Sequence, residues 1–473
     1  MCRIFTLSNL RQSGPVSMMV RMWHVARLLN RWEWLILLGL LPLFMFPEGT
    51  RGFIILAVPA FWIIRKVVTG RFFPATPYNG ALLLLLMMTG VGVLVSFDPS
   101  LSLPKLAGVL MGVALFGAVA DYGRQFSVWP IVAVYFLLGI VMAVVGLLGA
   151  IWEPPFDFLN GARGYVALSA QGVPGAVGGI VNSNELAGVM AWIAPMALAC
   201  LVGLSRLLWR TNKFGLLFLL ATTLLSGLTL IATSSRGGVL ALGAGMAVVL
   251  ALYLPSRWRL VLLTGLVISL AGVMSYAIST LQQDLVGDAL GLSGRMEIWS
   301  RALLAIADNP LTGVGLNAFR RVVHVLYPLF SIADTIDLGH AHNHLLQAAL
   351  DVGLPGLAGY LAIWFISAAL LATTWQNLRR RGARRHPYYA LVAGLAGSLM
   401  AGWVFGIFDA IALGSRPGFL WWMLLGLSAS VHYAVNYSGE RLRSHRHATV
   451  GLGLPMPRRQ AHRTAAAETS GPA

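Results

Sequence analysis

The feature that most limits this chain is a series of apolar runs, each close to the length that crosses a lipid bilayer. A spanning helix needs about 20 mostly apolar residues. Such runs lie at 32–47, 52–68, 79–97, 103–120, 127–151, 184–204, 214–233, 237–254, 259–279, 343–373, 388–409 and 417–435. Only "PEGTRG" separates the first two. Composition points the same way. The chain is 57% hydrophobic and 11% charged, whereas soluble domains carry roughly 25% charged residues. These features predict an all-α integral membrane protein of about twelve transmembrane helices.

The net charge of +17 raises the possibility of nucleic-acid binding, but topology accounts for it better. Lys and Arg concentrate in cytoplasmic loops. With both termini inside, 25 of the 34 basic residues fall on the cytoplasmic side and only Glu33, Asp121, Glu440 and Glu468 accompany them. The inner side then carries +21 and the outer side −4. Nucleic acid is therefore not an expected partner. Cys2 and Cys200 are expected to be free thiols without a metal. The basic, polar-mixed segment 1–31 is not expected to be a cleaved signal peptide.

This organisation gives a cytoplasmic N-terminal segment at 1–31, a polytopic membrane domain at 32–435 and a polar tail at 436–473, expected to be disordered. Two outer loops are long. Segment 152–183 is rich in Gly and Pro, which predicts irregular structure. Segment 280–342, between the ninth and tenth spans, is long enough for helices of its own. In "LSGRMEIWSRALLAIADNP", Ser293 is a capping-type residue and Asn309-Pro310 a stop signal. Ile298, Ala302, Ala305 and Ile306 form an apolar stripe, so this helix should lie on the membrane or fold back onto the bundle. "LNAFRRVVHVLY" predicts a second short helix.

Three outward features carry chemistry. "TSSRGG" (233–238) joins two apolar runs with almost no loop and sets Arg236 at the end of a helix pair. Arginine at membrane depth is costly and suggests function, although a turn with a snorkelling arginine explains it too. "GRMEIW" places Arg295 near the start of the loop helix, and guanidinium forks suit phosphate oxygens. In "GHAHNHLLQAALDVGLPGL" (339–357), His342 and Asn343 open a helix on which Gly353 lies near the same face, about three turns on. Pro355 is expected to kink that helix. A histidine at this tip can act as a general base. His340, His342 and His344 alternate, which does not match helical zinc-ligand spacing, so no metal and no other cofactor is expected.

Two arginines and a histidine at one membrane surface suit glycosyl transfer from a lipid diphosphate. The arginines would hold the leaving group, and the histidine would take a proton from the attacking hydroxyl. No Asp-x-Asp pair occurs in an outer loop, so arginines must neutralise the diphosphate.

In order, "SSRGG", "GRMEIWSRALLAIADNPLTGVGLNAF" and "HNHLLQAALDVGLPG" resemble the O-antigen ligase and polymerase superfamily of bacterial inner membranes. The resemblance covers 230–360. It implies a GT-C-like glycosyltransferase, inverting and metal-independent, with its active site facing the periplasm. The implied donor is a glycan on undecaprenyl diphosphate. The implied acceptor is a hydroxyl of the lipid A core or of a growing glycan. By position, Arg236 and Arg295 would bind the diphosphate and His342 would be catalytic, with Asn343, Arg320 and Arg321 as possible supporting residues. The family's usual Glu before the glycine pair is replaced by Asp351-Val352. O-antigen ligase is the favoured activity, with O-antigen or exopolysaccharide polymerase next. A protein O-oligosaccharyltransferase is a third reading, weakened by the short polar tail. A lipid-linked glycan transporter would call for inverted repeats and broken helices at mid-membrane, and the sequence shows neither.

Overall fold

A computed structural model describes residues 15–45, 55–149, 181–255, 257–261, 264–265, 268, 292–333 and 336–437. The described residues are helical: α1 Pro15–Met45, α2 Ala57–Thr69, α3 Asn79–Leu94, α4 Pro99–Gln125, α5 Trp129–Gly149, α6 Ser183–Thr211, α7 Lys213–Ala232, α8 Arg236–Tyr253, α9 Leu292–Asp308, α10 Phe319–Leu326, α11 His344–Arg380, α12 Pro387–Phe408 and α13 Phe419–Asn436. Eight of the expected spans are helices long and apolar enough to cross a membrane, from 99–125 through 416–436. The protein is thus a multi-pass, all-α membrane protein. At 52–68 and 79–97 the helices are shorter, 13 and 16 residues. The expected span 259–279, loop 152–183 and tail 436–473 lie largely outside the described residues.

The expected division at 31/32 falls inside one continuous helix of 31 residues. Within it, Glu33 accepts a hydrogen bond from the Arg65 guanidinium of α2 at 2.6 Å, both side chains fully buried. Pairing is what lets charged groups sit inside a membrane bundle.

Helix α12 is central, packed against α6 and α8, while α4 packs on α13 and α3 on α11. Small residues permit these approaches, as is usual where no hydrophobic drive separates helix from lipid. A Cβ on Gly245 of α8 would come within 2.6 Å of the Gly397 carbonyl of α12. Further along α12, Gly402 leaves room for the Trp192 indole and Gly406 for the His344 ring.

The outer loop folds back onto this bundle. Ile298, Ala302, Ala305 and Ile306 of α9 are buried with Phe319, Val323, Ala349 and Leu350. The apolar stripe therefore serves tertiary packing. The segment between α9 and α10 wedges between the α3–α4 turn and α11. Ser102 Oγ donates to the Leu316 carbonyl at 2.6 Å, and Asn317 Nδ2 to that of Leu101 at 3.1 Å. Asp351 Oδ1 accepts from Asn317 N at 2.8 Å and Gln347 Nε2 at 2.9 Å. Asp351 is thus an anchor for this segment, a physical role for the residue that departs from the family pattern.

Helix α11 breaks where Pro355 was expected to kink it, but the cause is different. Gly353 takes φ 68°, ψ 176° inside the 37-residue helix, a region essentially reserved for glycine. The backbone of 310–312 fills the break: Leu354 N donates to the Pro310 carbonyl at 2.8 Å. Pro355 then sits in the first turn of a new helical stretch, where its missing N–H costs nothing.

Candidate active site

The site assembles around the end of α12. At the α7–α8 turn, Ser235 caps α8 by accepting from Gly238 N at 3.2 Å. Arg236 follows as the first residue of α8 and is exposed. The turn is pressed onto the bundle: a Cβ on Gly237 would lie 3.3 Å from Phe408 Cβ, and one on Gly238 would lie 2.8 Å from Ala187 Cβ. Arg236, next to these glycines, has no hydrogen-bonding partner among the described residues.

Arg295, near the start of α9, reaches the same point and donates from a terminal guanidinium nitrogen to the Phe408 carbonyl at 2.6 Å. That carbonyl is one of the orphan acceptors of a helix C-terminus, where a cation is favoured. The Arg295 Nε is buried and unpartnered. Four residues along α9, Trp299 Nε1 donates to the Ala341 carbonyl at 3.0 Å and so positions the residue before His342.

His342 lies just outside α11, with φ 48°. The expected shared helical face of His342 and Gly353 does not exist, because the helix starts two residues later at His344. Asn343 is the N-cap. Its Oδ1 accepts from Leu345 N and Leu346 N at 2.9 and 3.1 Å, and its Nδ2 donates to the Ile407 carbonyl at 3.1 Å. Asn343 thus fixes the helix tip to the end of α12.

The sequence reading missed Asp409, the residue after Phe408. His342 Nδ1 lies 3.2 Å from Asp409 Oδ1, and His340 Nε2 lies 3.5 Å from the same oxygen. The oxygen also accepts from Ala410 N at 2.8 Å. Burial alone would raise the Asp409 carboxyl, but its contacts with His342 and His340 prevail and hold it below the usual carboxylate range. Burial, only partly offset by Asp409, pushes His340 down to about 4. The carboxylate is therefore an anion beside a neutral His340. An anionic acceptor at Nδ1 selects the His342 tautomer with its proton on that nitrogen. His342 Nε2 then carries the lone pair, and this atom is buried without a partner.

The sequence-predicted residues divide in two. Arg295, His342 and Asn343 meet at Ile407–Asp409, while Arg236 stands at the α7–α8 turn, which packs on Phe408 through Gly237. Arg320 instead pairs with Asp337, its Nε donating at 2.9 Å, and Arg321 is exposed. His344 is turned away from the group: it is buried, with Nδ1 2.9 Å from the Tyr360 hydroxyl. Lys105 of α4 is a second residue that sequence reasoning passed over. It lies with Arg295 within electrostatic reach of His340. A lysine inside an apolar run was the available signal; Asp409 offered only a lone acidic residue in a short turn.

The segment that holds Arg236, Arg295 and His342 also matches a known family model, that of O-antigen ligase, over residues 221–361. This stretch is similar to the O-antigen ligase family. The likeness to the O-antigen ligase and polymerase superfamily, drawn from the ordered motifs, is borne out over it. The matched stretch runs from α7 into α11, so Asp409 and the end of α12 lie beyond it. No curated protein is matched by the chain.

Proposed function

We propose that this protein transfers a glycan from a polyprenyl (undecaprenyl) diphosphate to a hydroxyl acceptor at the periplasmic face of the bacterial inner membrane, with both termini cytoplasmic. The observation that carries the reading is the His342–Asp409 pair: one ring nitrogen is held by a carboxylate and the other is buried and unpartnered. This is the arrangement of an oriented general base.

In the reaction, His342 Nε2 takes the proton of the acceptor hydroxyl as its oxygen attacks the anomeric carbon. The bond from that carbon to the diphosphate oxygen breaks, and its electron pair leaves with the diphosphate. Attack opposite the leaving group inverts the anomeric centre. Asp409 stabilises the imidazolium that forms. Arg236, exposed at the start of α8, and Arg295, whose Nε is unpartnered, are the cations proposed to meet the diphosphate. Fixed cations aimed at developing charge are worth most in a site of low dielectric. Transfer to the lipid A core is the favoured form of the reaction, in keeping with the ligase family domain, and polymerisation of lipid-linked glycans is the alternative.

The test is a His342→Ala strain, with its lipopolysaccharide separated on a gel and its polyprenyl-linked glycans measured. Long glycans retained on the polyprenyl lipid above a bare core are expected for a ligase. Single repeat units on the core, with no ladder, mean a polymerase. A wild-type profile for both pools overturns the role of His342.

A further inference from the structure

The alternating histidines were set aside as metal ligands because their spacing does not suit a helix. In the folded chain they are not on a helix, and Asp409 joins them. His340, His342 and Asp409 each present one ligand atom, and the three atoms lie within 4.8 Å of one another. The two nitrogen-to-carboxylate distances are 3.5 and 3.2 Å. Charge-assisted N–H···O bonds are usually shorter, about 2.7–2.9 Å. Zinc with bonds of about 2.0–2.2 Å in tetrahedral geometry spaces its ligands by about 3.3–3.6 Å, and the two distances lie within or close to that range. Asn343 and the Ala410 amide hold the two sides of the set in place.

We propose that His340 Nε2, His342 Nδ1 and Asp409 Oδ1 form a reversible site for a borderline transition-metal ion such as Zn2+, and that its occupancy switches transfer off. The second half rests on His342 acting as the base. An ion on Nδ1 forces the ring proton onto Nε2, which then donates and cannot accept the proton of the acceptor. Two features keep the site exchangeable. Arg295 and Lys105 lie nearby and repel a cation. Ligation also shifts the His340 proton to Nδ1 and breaks the 3.1 Å bond that this atom accepts from His342 N.

The full-length protein in nanodiscs, stripped with chelator, is titrated with Co2+ and followed by its visible absorption. A band saturating at one ion per chain, displaced by Zn2+ and lost in His340→Ala, is expected. In the transfer assay, Zn2+ should inhibit the wild type and chelator should restore it, while the turnover of His340→Ala, each preparation compared with its own chelated state, should not respond to Zn2+. No saturable band, bound metal without inhibition, or equal inhibition of His340→Ala overturns the proposal. If His342→Ala transfers normally, the base assignment fails on its own, because the Co2+ band reports the ligand set independently of activity.

Discussion

Gly353→Ala should damage this protein far more than Pro355→Ala, although proline is the residue usually blamed for a broken helix. A Cβ on Gly353 would stand 2.2 Å from the Leu311 carbonyl oxygen, 2.5 Å from its carbon and 2.8 Å from Thr312 N. All three are backbone atoms, so no side chain can swing aside. A non-glycine residue at φ 68°, ψ 176° costs about 1–3 kcal/mol in backbone strain. Relieving the clash pushes 310–314 away and strains two hydrogen bonds of 2.8 Å, Leu354 N to the Pro310 carbonyl and Val314 N to that of Leu350. At about 0.5–1.5 kcal/mol each, the total for Gly353→Ala is about 2–6 kcal/mol. Pro355→Ala removes no bonded N–H and should cost at most about 1 kcal/mol, mainly through the unfolded chain. Thermal melting of both variants in nanodiscs reads the difference. A Gly353→Ala protein that melts with the wild type, or a Pro355→Ala protein that falls as far, would refute the glycine as the cause of the break.

Asp409→Asn removes the charge that selects the His342 tautomer. Turnover should fall by about 10²–10⁴-fold, the range ascribed to general acid–base catalysis, with little change in KM for the donor; unaltered kcat would remove Asp409 from the mechanism. Arg236→Lys should impair transfer strongly, since a point charge cannot replace a bidentate fork, and near-normal turnover would reduce Arg236 to a turn residue. Transfer by the metal-stripped enzyme should persist in excess chelator; a loss that only added metal restores would contradict arginine-based neutralisation. Glu297 accepts from the backbone amides of Phe330 and Ser331 and from the Ser331 hydroxyl. These bonds outweigh its partial burial and hold its carboxyl below the ordinary value of 4.5. A depressed carboxyl contributes stability above its unfolded pKa and loses it as pH falls through the folded one. The melting temperature of wild type over Glu297→Gln should therefore be raised near neutral pH, and the gap should close in acid.

Much of the architecture was legible because membrane crossing and helix packing leave periodic marks. Eight of the apolar runs from 103 onward are span-length helices among the described residues, and the stripe of Ile298, Ala302, Ala305 and Ile306 is the buried face of α9. Arg236, Arg295 and His342 stood out in the sequence as titratable groups beside apolar runs. The cause of the α11 break was harder to read. Sequence shows that proline lacks an amide, but it cannot show that a carbonyl from a segment forty residues earlier occupies the space beside Gly353.

Asp409 shows why the rest of the site stayed hidden. Spacing rules link residues within one regular element, and Asp409 is 67 residues from His342. Nothing in "GIFDAIALG" distinguishes a carboxylate that orients a base from one that ends a helix. The same limit governed the histidines. Their spacing was judged in a helical frame, where i and i+2 face apart. The His342 φ of 48° instead turns the chain just before α11, bringing the rings of His340 and His342 to 4.4 Å between centroids. One left-handed residue thus both aims His342 at Asp409 and brings its ring against that of His340. His342→Gly, which adopts that φ freely, should leave the backbone turn intact while removing the imidazole. It can therefore separate the loss of chemistry from a loss of fold.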